Sequence, residues 1–350
     1  MLHEYFSEAF STYLDAEQDG YAEERFYTVA HYSVQVRFAR PALVDVLSPA
    51  LEHLRSEPVS VTALTVCIWD DVSTKKRIPA FPWKDKASIT QFVEGTNPVI
   101  CFKDDRFLGA YHIGTKMLSM LDTQQNTAIL WVPDADKIPY YERSSPLRII
   151  FQWWAKKRGL QLVHAGAVGI NRTGVLLAGE GGSGKSTTAI NCLNAGLSYV
   201  SDDYCLVGME SDPYAHSIYC SAKIGWNDLQ RFPKFASAVD RSDDNHEDKA
   251  LLILNKQYHQ KIVRGFSIRA ILVPRIAGSA KTIVTPISAR QGLMALAPST
   301  IFQLRGAGQR DLSFIAELTR IIPSFLLELG TDYNNIPDIV LNVLKSFNEN

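Results

Sequence analysis

The rhythm of apolar and polar positions changes near residue 145. Before it, residues 1–22 read as a short helix followed by a polar turn. From Phe26 to Ala39 apolar and polar residues partly alternate (Tyr27, Val29, Tyr32, Val34, Val36), which predicts strands. Leu43–Leu54 carries apolar residues at helical spacing. Val59–Trp69, Val99–Phe102, Leu108–Ile113 and Ala128–Val132 read as further strands, with Lys103-Asp104-Asp105 as a hairpin turn. The pattern predicts a strand-rich α+β domain over residues 1–145.

Ser145 then suits an N-cap and Pro146 the first helical position. Leu147, Ile150, Phe151 and Trp154 fall at i, i+3, i+4 and i+7, one apolar stripe of a helix that Gly159 stops. From Leu160 strands and helices alternate. Strands are expected at Gln161–Ile170, Gly174–Ala178, Ser198–Ser201, Tyr204–Gly208, near Ile218–Cys220 and at Ile268–Val273. Helices are expected at Lys185–Ala195, Ser288–Ala297 and Leu312–Arg320, and Asp240–Lys249 reads as a polar surface loop. This order predicts a layered α/β domain over residues 146–350.

Composition narrows the classes of function. The 350 residues are 46% hydrophobic and 21% charged, enough for two domains with their own cores. A formal net charge of −1 gives no basic excess, so a nucleic-acid partner is not expected. The five cysteines are scattered without a CxxC pair, which fits reduced thiols in a cytoplasmic protein. The start MLHEYFSEAFSTYL lacks the basic and apolar regions of a signal peptide. No window is apolar over 18 residues, so no membrane association is expected.

The sharpest chemistry lies at Gly179-Glu180-Gly181-Gly182-Ser183-Gly184-Lys185-Ser186, a full G-x-x-x-x-G-K-[ST] phosphate loop. Glycines let consecutive backbone N–H groups point inward at phosphate oxygens. Lys185 supplies a cation for the β- and γ-phosphates, and the Ser186 hydroxyl suits Mg²⁺. Val175–Ala178 predicts a buried strand before the loop, and the helix over Lys185–Ala195, which takes in Thr187, follows it, the required setting. ATP and Mg²⁺ are the expected cofactors, with residues 179–187 as the binding segment. Adenine is favoured by elimination, because Asn255-Lys256-Gln257-Tyr258 lacks the aspartate of the guanine motif.

Asp202 and Asp203 follow Ser201 at the end of the next predicted strand, where α/β sheets place their ligands. On spacing alone the pair reads either as a metal carboxylate beside a proton acceptor or as a solvated turn. His164, upstream among apolar residues, reads either as a structural or as a catalytic residue.

The run Leu162–Val207, with His164, the phosphate loop and Ser201-Asp202-Asp203, resembles the catalytic domain of HPr kinase/phosphorylase. The resemblance implies a core of the HPr kinase and phosphoenolpyruvate carboxykinase type. It implies catalytic roles for Asp202 as general base, Lys185 and His164, and metal-side roles for Ser186 and Asp203. Residues 146–345 look closer still to the serine kinases that accompany lasso-peptide gene clusters. Ile271–Arg275 and Leu327–Pro337 add to that likeness. The implied activity is ATP-dependent phosphorylation of a serine hydroxyl on a precursor peptide or small protein. A small-molecule kinase and a nucleotide-gated binding module are the alternatives, and a homo-oligomer is left open. The Glu-x-Arg-Gly-x-Gly run of true HPr kinases is missing; Arg264-Gly265 and Gly306-Ala307-Gly308 are echoes only. HPr as substrate and reverse phosphorolysis are therefore not expected. Glu247, Lys249, Arg264 and Arg269 are the later charges that could reach phosphate, Lys249 foremost.

Overall fold

The structure is a computed structural model. It describes all residues except 19–20, 82–90, 94–98, 210, 241–248, 304–307 and 348–350, and the side chains of residues 91–93, 302 and 303 are not described. The chain forms two compact units, Met1–Arg158 and Gly159–Asn350.

In the first unit an eight-stranded mixed sheet runs in the order Glu23–Val29, Tyr32–Phe38, Leu64–Asp70, Thr127–Val132, Met117–Asp122, Phe107–His112, Val99–Lys103, Gln91–Val93. Helix Leu2–Glu17 buries Tyr5, Phe6, Ala9 and Tyr13 against Trp69, Phe107, Leu118 and Met120 of one sheet face. Asp104 makes the expected hairpin turn, accepting from the amides of Arg106 at 2.9 Å and Phe107 at 2.6 Å. The stretch expected as one helix over Leu43–Leu54 is two pieces, Pro41–Leu47 and a 3-10 turn at Pro49–Leu54. Pro49 has no N–H to continue the first. Met117–Asp122 is buried at every position, so no alternation announces it.

Ser145 and Pro146 do not start the next helix. Leu147 takes the N-cap position in a left-handed conformation, φ +60°, and the helix runs Arg148–Lys156. Its Trp154 indole donates to the Ala63 carbonyl at 3.0 Å, and Arg158 donates to the same oxygen at 2.9 Å. These bonds fasten the helix to the first unit. The two compact units part between Arg158 and Gly159, at the end of this helix.

The second unit is a layered α/β structure. Its main path of strands is Ser198–Ser201, Gly166–Ile170, Thr173–Leu177, Gly265–Ile276, Tyr214–Ser217, Tyr204–Gly208, Gln161–His164. Ser324–Leu329 lies parallel to Gly265–Ile276, and Ile283–Ile287 pairs beyond it. The alternation of strand side chains builds two cores. Val175, Leu177 and Leu272 pack under helices Lys185–Asn194 and Ile336–Lys345. Leu176, Ala178 and Ile271 pack under helices Ala289–Gln303 and Gln309–Ile321.

Two expectations change here. Gln161–Ile170 is two strands that break at Ala165. Ile218–Cys220 is not a strand but a buried link between Tyr214–Ser217 and Ser221–Gly225. Ser221–Gly225 pairs antiparallel with Lys249–Ile253 as a separate two-stranded ribbon. Lys249 is thus a strand residue, while most of the predicted polar loop before it lies outside the described residues.

Candidate functional site

Strand register brings the phosphate loop and the aspartates to one level. Ala167 faces Leu176 on one side and Ser201 on the other. Asp202 and Asp203 therefore emerge beside the point where the loop leaves its strand. The Asp strand does not lie directly beside the phosphate-loop strand; Gly166–Ile170 runs between them. His164 pairs with Tyr204, the residue after Asp203. The breaks at Ala165 and at Asp202-Asp203 oppose each other in this antiparallel pairing, and both carboxylates sit in the gap.

The loop has the backbone that a cradle needs. Gly179, Gly182 and Gly184 all have positive φ. A Cβ on Gly184, at φ +103°, would lie 2.4 Å from Leu329 Cδ1. Gly184→Ala is therefore expected to lower stability by about 1–3 kcal/mol and to abolish nucleotide binding, read by thermal melting and by calorimetric titration. The helix Lys185–Asn194 begins at once, with its N-terminal dipole at the loop. Buried Lys185 donates to the carbonyls of Gly179 at 2.8 Å and Glu180 at 2.9 Å, so two of its three donors hold the loop curled. Ser183 Oγ is a buried atom without a hydrogen-bond partner among the described residues. Glu180, Gly181 and Gly182 form the exposed crest, Ser186 and Thr187 are half-buried, and Thr187 Oγ1 donates to Asp228 at 3.3 Å.

The two aspartates have opposite environments. Asp203 Oδ1 lies 2.6 Å from His164 Nε2, and Oδ2 lies 2.7 Å from Lys223 Nζ. Burial pushes this carboxyl up, but Lys223 and His164 outweigh it and hold the pKa well below the usual carboxylate range. An ionised Asp203 only accepts, so His164 Nε2 carries the shared hydrogen. Asp202 Oδ2 accepts the Lys223 amide at 2.8 Å. Burial first, then the charge of Asp203, push the Asp202 pKa up; the Lys223 amide, the Ser186 hydroxyl and the Lys223 charge oppose this without overcoming it. Asp202 Oδ1 is buried and makes no hydrogen bond of good geometry. Adjacent carboxylates are thus split into a locked anion and a carboxyl that takes a proton more readily.

Removing the locked anion strands two partners. Asp203→Asn is expected to destabilise the fold by about 1.5–3 kcal/mol at pH 7, because the half-buried Lys223 loses its counter-charge. Asp203 stabilises the fold fully above about pH 4 and loses that contribution as pH falls through its depressed native pKa. The gap between wild type and variant in chemical denaturation therefore narrows below about pH 4.

Lys223 was not singled out by sequence, yet its amide and ammonium reach both carboxylates. The available signal was weak: a lysine between Ala222 and Ile224, both of which face the core. Lys185 has its pKa lowered by burial, opposed by Asp203 and Asp202, and lowered further by Lys249, whose charge therefore reaches the loop. Arg264 and Arg269 lie elsewhere. Ser267 is level with Thr173, the start of the phosphate-loop strand, and Leu272 with Leu177, its end. Both arginines thus precede the part of the strand that reaches the loop. Glu247, Gly306 and Ala307 lie outside the described residues, and Gly308 caps helix Gln309–Ile321.

A dedicated acidic cage is not present: among the described residues no group of three or more His, Cys, Asp or Glu could hold a metal ion. Magnesium at nucleotide sites needs only one or two carboxylates beside phosphate oxygens and water, which Ser186 and the aspartate pair fit. Among the described residues no helix is long and apolar enough to cross a membrane.

No protein-family profile and no curated protein matches this chain. Among solved structures it is similar to the Hpr(Ser) kinase/phosphatase from Coxiella burnetii, at 12% identity over 54% of this chain and 97% of that one, with a TM-score of 0.31.

Proposed function

We propose that this chain is an ATP-dependent kinase that transfers the γ-phosphate to a serine hydroxyl of a peptide, a lasso-type ribosomal precursor peptide being the intended acceptor. One observation carries the reading: two adjacent carboxylates of opposite proton affinity sit at the mouth of a phosphate loop. A clamp that only holds nucleotide has no need of a buried carboxyl with a raised pKa beside the terminal phosphate. A kinase has, because the attacking hydroxyl must lose a proton.

The loop amides and Lys185 bind the phosphates. Asp202 accepts the proton of the serine hydroxyl through Oδ1 as that oxygen attacks the γ-phosphorus in line. Asp203 stays ionised against His164 with cationic Lys223 close by, and its charge keeps Asp202 receptive to that proton. Ser186 and Asp203 would hold magnesium, which when bound neutralises charge on the transferred phosphoryl group. Most of the acceleration comes from positioning and fixed charge rather than from covalent chemistry. In this reading the first unit supplies the peptide-binding surface. A cleft of about 560 Å³ lined by Glu24, Arg25, Glu52, Arg55 and Glu57 gives it polar groups for that task.

The acceptor is tested with γ-labelled ATP, Mg²⁺ and a precursor peptide ending in serine, beside the same peptide ending in alanine. Label on the serine peptide alone is expected. Label on both peptides, or on small metabolites only, would rule out the serine acceptor.

A further inference from the structure

The ribbon of Ser221–Gly225 and Lys249–Ile253 has two unlike faces. Ala222, Ile224, Ala250 and Leu252 belong to the hydrophobic core under helix Lys185–Asn194. Strand alternation puts Lys223 and Lys249 together on the opposite face. The register pairs Lys223 with Leu251 and Gly225 with Lys249, so the two lysines are diagonal neighbours, about 7–8 Å apart at the backbone. That face looks onto the aspartates, since Lys223 Nζ touches Asp203 and its amide holds Asp202. Lys249 is exposed, has no ion-pair partner among the described residues, and acts electrostatically on Lys185. Asp203 and Asp202 act on Lys185 as well. The ribbon thus brings two ammonium groups to the side of the phosphate loop, while Lys185 is engaged with loop carbonyls.

We propose that Lys223 and Lys249 form a paired cation site for the terminal phosphate, so that the ribbon distinguishes a nucleoside triphosphate from a diphosphate. The proposal rests on the phosphate-loop reading above and assigns the γ-phosphate its own ligands. A terminal phosphate beside the loop lies next to Asp203, and Lys223 reaches it by leaving Asp203 Oδ2. That move uncovers the oxygen on the side where a cation would sit. Lys249 stands outside at the rim and needs no such exchange. The loop amides serve phosphates common to both nucleotides, and Lys185, tied to the Gly179 and Glu180 carbonyls, is shared between the β- and γ-phosphates, so the ribbon lysines supply the cations that only a triphosphate engages.

Calorimetric titration of the full chain with Mg·ADP and with the non-hydrolysable Mg·AMPPNP separates the possibilities without knowledge of the acceptor. Wild type is expected to bind the triphosphate analogue more tightly. Lys223→Met and Lys249→Met should each weaken the analogue by about tenfold, equivalent to about 1.4 kcal/mol, while ADP binding is retained. Lys249→Arg should keep the preference, since charge is the requirement. Lys249 is exposed, so its variants test the idea even if Lys223→Met folds poorly. Equal weakening of ADP and AMPPNP, or no weakening of either in both methionine variants, overturns the paired site and leaves the phosphate loop standing. Failure of wild type to bind either nucleotide overturns the phosphate-loop reading itself.

Discussion

Asp202→Asn is expected to slow phosphoryl transfer by about a hundred- to ten-thousand-fold while nucleotide binding persists, the range for loss of a positioned general base. Asparagine keeps the shape and still accepts the Lys223 amide, so lost packing cannot account for such a fall. The same change alters stability in the opposite sense. Unfolded Asp202 titrates near about pH 3.9, and burial beside Asp203 raises the native value above that. The native state thus holds a proton more tightly than the unfolded one does. Ionising the carboxyl penalises folding once pH rises through the native pKa, and the penalty is absent below about pH 4. Asp202→Asn should therefore melt higher than wild type at pH 8 and show no such gain at pH 4. A variant that is as active as wild type, or that melts lower at pH 8 than at pH 4 relative to wild type, would remove Asp202 from the role of base.

Lys185→Met is the second large effect. It is expected to lower transfer by about a hundred- to a thousand-fold, as loss of one group that stabilises developing charge does, and also to weaken nucleotide binding. In the proposed reading Lys185 has two tasks at once: its charge would face the phosphates, while its N–H groups tie Gly179 and Glu180 into the curl. Arginine should not restore activity. The side chain is buried, and a planar fork does not reproduce a compact ammonium held by two carbonyls. Steady-state kinetics with calorimetric titration checks both statements. Full rescue by arginine would show that charge alone matters at this position.

Parts of this molecule announce themselves in sequence because single residues impose them. Glycines at positions of positive φ, a lysine opening a helix and an apolar run before them define the phosphate loop without tertiary information. Ser198–Ser201 and Tyr204–Gly208 stand where their apolar runs place them. Other features depend on contacts that no local pattern contains. Leu147 takes the helix start from Ser145 because the chain turns left-handed there. The apolar run Ile218–Cys220 reads as a strand, but its residues are a buried link. The break at Ala165, which opens the gap for Asp202 and Asp203, is invisible in the sequence because apolar residues continue on both sides of His164-Ala165-Gly166. Lys223 is hidden for a related reason. Its meaning arises only when a short ribbon docks its apolar face and aims the other at two distant carboxylates.

The central claim is that the loop hands its terminal phosphate to a hydroxyl. Phosphorus NMR of Mg·ATP incubated with the protein and a serine-terminated precursor peptide reads the fate of that phosphate directly. The account predicts ADP and a phosphomonoester on the serine in equal amounts, with neither formed by Asp202→Asn on the same time scale. Conversion of ATP to ADP and inorganic phosphate alone, or bound ATP that stays intact with wild type, would contradict it.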